Sequence, residues 1–331
     1  MSPSLNVMKR SPLVLVEGIW AKLECTNPTG SVKDRIARYI LEKSEDLGLL
    51  KPGMEIIEAT SGNTGIALAY LGRAKGYKVT IVMPENMTDE RKDVIRALGA
   101  ELVLCSKEGS FAEAAAVRDR LAKERGAFNP DQFSNPLNVA CHRETTGAEI
   151  LTQLTEQGMG VPDVFVAGVG TGGTLIGVAE AIRAANPRAL IVAVEPDESA
   201  VMSGGPAGVH AIYGIGDGFI PAIAGDGRGG LHPLINHVIR IPSDAARATA
   251  RRIGQTHGFC VGNSSGANFL AAQQLQGRRK TVVTIFADGY AKYSSEGLQH
   301  CLPDRCPYEH ESALDSILVG QPAGLGKSPL L

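Results

Sequence analysis

The 331-residue chain carries 33 basic and 35 acidic side chains, a formal net charge of −2, with 44 % hydrophobic residues. That length suits one large or two ordinary domains, two being expected, and the near-neutral balance gives no footing to nucleic acid or an anionic membrane, which leaves a small-molecule partner. No apolar run approaches the roughly 20 residues of a membrane span and the N-terminus lacks a signal-peptide succession, so the cytoplasm is the expected location. Along the chain, Ser11 to Val16 and Ile19 to Glu24 read as strands. A helix is expected from Lys33 to about Leu50, with Ser31 as its N-cap and Val32, Ile36, Ile40 and Leu41 at helical spacing. From Glu55 to Arg125 strands and helices alternate: strand to Ala59, helix Ile66 to Lys75, strand Lys78 to Met83, helix Thr88 to Leu98, strand Glu101 to Cys105, helix Ser110 to Arg125. Asn129-Pro130 and Asn135-Pro136 interrupt the pattern, marking a domain joint up to about Ala140.

A helix from His142 to about Gln157 opens a second series, with strands at Asp163 to Ala167, Leu190 to Val194, His237 to Ile241, Phe259 to Val261 and Thr281 to Ala287. Its helices are expected at Thr174 to Asn186, after a Ser243 cap, and from Gly266. The Gly- and Pro-rich segment from Pro196 to about Pro233 reads as ordered loops near a site. The alternation predicts an α/β fold of mostly parallel sheets with helices on both faces.

Ligands of such sheets bind at the strand ends that feed helices. Lys33 is the first candidate there. In the first turn of a helix the peptide dipoles disfavour an ammonium group, which predicts a depressed pKa and an amine able to attack a carbonyl. A solvated lysine beside Asp34 is the alternative. Thr60-Ser61-Gly62-Asn63-Thr64-Gly65 packs hydroxyls and an amide around two glycines, suited to gripping a carboxylate. Gly168-Val169-Gly170-Thr171-Gly172-Gly173-Thr174 reads as a phosphate cradle. It also matches G-x-G-x-x-G with Glu195 near the expected ribose position, so a nicotinamide dehydrogenase stays open. Gly262-Asn263-Ser264-Ser265-Gly266 fits the serine-hydrolase elbow, with Asp288 and His300 following, or else presents a hydroxyl to a ring nitrogen. Ala287-Asp288-Gly289-Tyr290 is a fourth turn able to touch the same ligand; Gln132 offers an amide donor, and His142 reads as a helix-start histidine. Cys105, Cys141 and Cys260 have the apolar surroundings of inert thiols, and Cys301 and Cys306 with His300 and His310 are a weak zinc signal, so no metal is expected.

These stretches, with Met83-Pro84-Glu85, Gln132-Phe133-Ser134-Asn135-Pro136, Thr145-Thr146-Gly147 and Gly214-Ile215-Gly216, resemble the cysteine synthase family, within the fold type II pyridoxal-phosphate enzymes that include cystathionine β-synthase and the serine and threonine dehydratases. The similarity runs from about Ser11 to about Ser295. It implies a tryptophan-synthase-β-like, two-domain fold: an N-terminal region 1–142 including a smaller mobile α/β domain (about 40–140), a larger phosphate-binding domain 143–298 completed by residues 8–35, and a tail 299–331. The resemblance implies pyridoxal 5′-phosphate as cofactor, with Lys33 holding its aldehyde and Gly170, Thr171, Gly172, Gly173 and Thr174 around its phosphate. Ser264 would face the pyridine nitrogen, and Asn63 the 3′-oxygen. Thr60, Ser61, Gly62, Thr64 and Gln132 would receive the substrate carboxylate. The implied reaction is β-replacement on O-acetyl-L-serine, or a related activated serine, by sulfide through an aminoacrylate to L-cysteine, in a homodimer. Cystathionine formation and deamination are the nearest alternatives, and a serine acetyltransferase-like partner is left open.

The sequence departs from the pattern at three places. The usual Gly-Asn/Asp-Thr-Pro-Leu opening is Lys9-Arg10-Ser11-Pro12-Leu13; the serine-arginine-tyrosine ending is Gly289-Tyr290-Ala291-Lys292-Tyr293; and Asp217 is larger than the residue often found there, on the sulfur-donor side.

Overall fold

The computed structural model describes residues 8–60, 62–87, 89–106, 110–277, 280–290 and 293. Ser61, Thr88, His300, Cys301, Cys306, His310 and the tail 299–331 therefore lie outside the described residues. Strands β1 (Leu13–Val16) and β2 (Ile19–Leu23) form an antiparallel hairpin, and helix α1 (Lys33–Asp46) follows. Then come β3 (Glu55–Ala59), α2 (Asn63–Ala74), β4 (Lys78–Pro84), α3 (Asp89–Ala97), β5 (Glu101–Cys105) and α4 (Ser110–Arg125). Helix α5 (Pro136–His142) runs through a π-helical turn at Arg143–Gly147 into α6 (Ala148–Glu156). The chain closes with β6 (Val164–Gly168), α7 (Gly173–Ala185), β7 (Leu190–Pro196), β8 (His237–Ile241), α8 (Ser243–His257), α9 (Asn263–Leu275) and β9 (Val282–Phe286).

Among the described residues the strands form two sheets. One has the order β1-β2-β9-β6-β7-β8 and the other β3-β4-β5, and every pairing except β1 with β2 is parallel. Period-two alternation decides which face each side chain serves. In β3, Ile56 packs toward α2 and Ile57 toward α4; in β9, Val282 and Phe286 join the core under α8 and α9, while Val283 and Ile285 join the core under α7. Such buried aliphatic side chains contribute roughly 1.5–3 kcal/mol each, which holds the helices on the sheets and fixes the strand ends where the loops converge.

Several boundaries differ from the expectation for local reasons. Helix α1 stops at Asp46, short of Leu50, where Gly48 takes a left-handed φ of 70°. The Asn135-Pro136 pair begins a helix instead of ending one: Asn135 caps Leu137 N–H and proline suits the first turn. His142 accordingly ends α5 and does not start a helix. Ser243 is the first residue of α8, not its cap, and its hydroxyl accepts the Ala211 N–H at 2.9 Å. The expected strand at Phe259 to Val261 reduces to a single bridge between Val261 and Gly289, and α9 begins three residues before Gly266.

Candidate active site

The ends of β3, β6 and β9 open into one cleft of about 980 Å³, counted out to solvent. Lys33, Thr60, Gly62, Asn63, Thr64, Gln132, Gly170, Thr171, Gly172, Thr174 and Ser264 all line it, although they come from both sheets and span more than two hundred positions. Gly173 sits behind that wall, because a Cβ there would fall 1.9 Å from Asn138 Oδ1. Its N–H is directed to Thr171 Oγ1 at 3.3 Å.

Lys33 opens α1, half-buried, and the Ser31 hydroxyl accepts its backbone N–H at 3.3 Å. Ser31 is thus not the cap residue itself, which is Val32, but it still satisfies a free donor of the first turn. Burial draws the Lys33 amine down to about 8, while the negative charges of Asp217 and Glu58 hold it from falling further. Desolvation, more than the helix dipole invoked from sequence, is therefore the principal cause. Asp217 is reachable from the cleft, yet the protein mass around it raises its carboxyl pKa, against the pull of Lys33 and His210.

The turn after β6 has the form of an anion cradle. Gly172 takes a φ of 87°, a backbone conformation that L side chains rarely adopt, and a Cβ on Gly170 would meet the Gly214 carbonyl oxygen at 2.3 Å. The N-terminus of the thirteen-residue helix α7 stands behind the turn. Two side chains hold it: Asn138, which no local pattern identified, and His142, which the sequence presented as a helix-start histidine. Asn138 Nδ2 donates to Thr171 Oγ1 at 3.0 Å and to the Gln132 carbonyl at 2.9 Å. His142, fully buried, places Nδ1 2.9 Å from Thr146 Oγ1 and Nε2 3.2 Å from Thr174 Oγ1. Burial pulls its imidazole pKa down to about 3, so the ring is neutral and acts as a hydrogen-bonding strut, not a base.

On the opposite wall, the Thr64 hydroxyl donates to Gln132 Oε1 at 2.7 Å. Beneath them Glu58 accepts the N–H groups of Ala59 (2.9 Å) and Gln132 (3.2 Å) and pairs with Arg118 at 3.2 Å. Burial outweighs these partners and raises the Glu58 carboxyl to about 7. No local pattern singled out Glu58 or Asn138; Glu58 reaches Gln132 and Arg118, and Asn138 reaches Thr171, across the fold.

The rival chemistries lose their residues here. Glu195 accepts the N–H groups of Met202 (2.8 Å) and Ser203 (3.0 Å), so it braces a loop and does not await a ribose. Asp288 bonds Asn63 and Tyr293, which leaves the elbow at Ser264 without a triad among the described residues. No group of three or more metal-ligating side chains occurs among the described residues.

The cleft fits pyridoxal phosphate by its own chemistry. It combines a desolvated amine, a glycine turn that closes on an anion, and a serine at a helix start. Comparison with known proteins agrees. Residues 5–288 match the family described as pyridoxal-phosphate dependent enzyme. A cysteine synthase of Staphylococcus aureus (strain Mu50 / ATCC 700699) is 44 % identical over 283 residues, 85 % of this chain and 88 % of that one. The structure of O-acetylserine sulfhydrylase isoform 3 from Entamoeba histolytica superposes with a TM-score of 0.79 at 38 % identity, covering 93 % of both chains. That of an O-acetylserine-dependent cystathionine β-synthase from Helicobacter pylori gives 0.81 at 33 % identity, covering 88 % of this chain and 96 % of that one. With an amine and an anion cradle set across one cleft, and with relatives this similar over this much of their length, the chain belongs to the pyridoxal-phosphate dependent enzyme family.

Proposed function

We propose that the protein is a cysteine synthase, replacing the β-substituent of O-acetyl-L-serine with sulfide to give L-cysteine. The observation that carries this reading is the placement of the Lys33 amine, with a pKa near 8, in the cleft whose wall includes the Gly170–Thr174 turn and Ser264.

Lys33 would hold the cofactor aldehyde, the backbone and hydroxyls of Gly170, Thr171, Gly172, Gly173 and Thr174 its phosphate, Ser264 its ring nitrogen and Asn63 its 3′-oxygen. Bound there, the cofactor supplies an electron sink for charge developing at the substrate Cα. Thr60, Ser61, Gly62, Thr64 and Gln132 receive the substrate carboxylate, and the Thr64–Gln132 bond turns the Gln132 amide so that the N–H not donated to the Ala59 carbonyl (3.4 Å) remains for that purpose. Displaced by the incoming amino acid, the Lys33 amine takes the Cα proton, and a pKa near 8 suits it to that transfer close to neutral pH. The neutral serine opposite the ring nitrogen does not enforce ring protonation, which favours loss of the β-substituent over transamination.

Residues about 40–140, the β3-β4-β5 unit, are read as the smaller domain that closes over the substrate, with 8–35 and 143–298 as the larger domain and 299–331 as a tail. The active species is read as a cytoplasmic homodimer acting on small molecules, with no nucleic-acid or membrane partner. Among the described residues no helix is long and apolar enough to cross a membrane. A second reading, cystathionine formation from O-acetylserine, is favoured by Asp217: a carboxylate near the Lys33 amine is placed to take a proton from a thiol nucleophile.

The test is direct. The purified protein should be yellow, borohydride should fix the colour to Lys33, and Lys33→Ala should lose it. A colourless wild-type protein that stays colourless after incubation with pyridoxal phosphate would refute the proposal. Assays of O-acetylserine with sulfide and with homocysteine would then separate the two readings.

A further inference from the structure

Asp288 follows β9, and its backbone is stitched to two of the turns that line the cleft. Its carbonyl accepts the Gly262 N–H at 3.0 Å at the Ser264 turn, and it forms a β-bridge with Ser31 beside Lys33. Its neighbours reinforce the second link: Val32 N–H donates to the Ala287 carbonyl (2.8 Å) and Gly289 N–H to the Gly30 carbonyl (3.2 Å). The side chain, 1 % exposed, then reaches toward the other sheet, where Oδ2 accepts Asn63 Nδ2 at 2.8 Å. The same oxygen accepts the Tyr293 hydroxyl at 2.6 Å, and the Arg91 guanidinium carbon lies 5.3 Å from the Tyr293 ring centre. Asp288 is thus the residue through which the Lys33 loop, the Ser264 turn and Asn63 are aligned.

Asp288 Oδ2 accepts from both Asn63 and Tyr293, and a carboxylate oxygen acting as acceptor admits the N–H₂ edge of an amide and not its carbonyl edge. An asparagine amide is otherwise free to adopt either of two orientations about its last torsion. Asn63 has two N–H bonds on that nitrogen; Asp288 takes one and leaves the other. We propose that Asp288 is a positioning residue for Asn63, locking its amide so that an N–H and not the carbonyl faces the ring oxygen of bound pyridoxal phosphate. This rests on the cofactor reading above. With that donor in place, cofactor held by Lys33 would keep the proton shared with its ring oxygen on the nitrogen and would absorb in the visible; without it the proton would pass to oxygen and absorption would move to the near ultraviolet.

The test compares absorption spectra of the holoenzyme at one pH for wild type, Asp288→Asn, Asn63→Ala and the double variant. An asparagine at 288 keeps the shape but accepts either edge of Asn63. The ratio of near-ultraviolet to visible absorption should rise about fivefold in Asp288→Asn, the equivalent of one ordinary hydrogen bond. It should rise similarly in Asn63→Ala, and no further in the double variant. Should Asp288→Asn fail to fold, Asp288→Ser keeps the main-chain bonds, empties the carboxylate position and carries the same expectation. An unchanged ratio, or a shift of equal size whether or not Asn63 is present, would overturn the proposal while leaving the cofactor reading standing. A wild-type protein with no Lys33-dependent absorption after incubation with pyridoxal phosphate would overturn both.

Discussion

His142 Nε2 lies 3.2 Å from the hydroxyl of Thr174, so a side chain that ends one helix steadies the first turn of another. Its other nitrogen is taken by Thr146, which makes the ring a bridge between two buried hydroxyls. Replacing His142 with Ala strands both hydroxyls, at a cost of about 1–3 kcal/mol per unsatisfied group. We expect His142→Ala to release pyridoxal phosphate at least tenfold more readily in dialysis than wild type, while His142→Asn recovers part of the loss. Equal retention in all three proteins would mean the bridge is not part of the phosphate site.

The Lys33 amine, held near 8 by burial, should control loading of the cofactor. At pH 7 about a tenth of such an amine is neutral, against roughly 0.03 % for an ordinary lysine. The rate at which apoprotein combines with pyridoxal phosphate should rise with pH and level off above about 8.5. A rate still climbing tenfold per pH unit at 9.5 would contradict the burial of this group.

Thr64 and Gln132 act as one unit through their 2.7 Å bond. Thr64→Val removes the donor and leaves the Gln132 amide held only by its long bond to the Ala59 carbonyl (3.4 Å), losing about 1 kcal/mol. The expected result is a roughly fivefold rise in KM for the amino-acid substrate with retention of the cofactor, measured by steady-state kinetics and by the visible absorption.

Asp217 should govern the second substrate. Asp217→Ala removes the carboxylate near Lys33 and is expected to slow thiol nucleophiles at least tenfold while sparing sulfide, which is more acidic than an alkyl thiol and already partly anionic at neutral pH. Parallel assays with sulfide and homocysteine check this, and equal losses for both would assign Asp217 to substrate binding instead.

Acid stability has two separable parts. Burial lowers the His142 pKa from 6.5 to about 3, so its contribution is complete above pH 6.5 and is lost as pH falls toward 3. Burial alone would raise the Glu24 carboxyl, but the charge and hydrogen bonds of Arg35, with Lys22, bring it to about 2. Its contribution is complete above pH 4.5 and is lost between there and 2. Glu58, raised to about 7, has the opposite sign: its contribution is full below 4.5 and fades as pH rises through 7. Thermal unfolding against pH should therefore show His142→Asn flattening the upper acid branch. Arg35→Met, which strips the 2.7 Å partner from buried Glu24, should cost about 3–5 kcal/mol.

The alternation of strand and helix, the parallel sheets and the turns that carry Lys33, Thr60, Gly170 and Ser264 were legible in the residues, because period-two and helical patterning and glycine-rich turns are local properties of the chain. Local signals misled where a residue type has two uses: proline can end one helix or start another, and Pro136 starts α5, while Ser243 suits a cap but spends its hydroxyl on Ala211. Which residues hold the site in shape was decided only by folding. Asn138 under Thr171, His142 beside Thr174, Glu58 behind Gln132 and Asp288 against Asn63 are ordinary polar residues until burial removes water and leaves each only the partners that packing brings to it. Even the depressed Lys33 amine, foreseen from its helix position, owes its shift mainly to desolvation, a property of the packed sheets and not of any stretch of sequence.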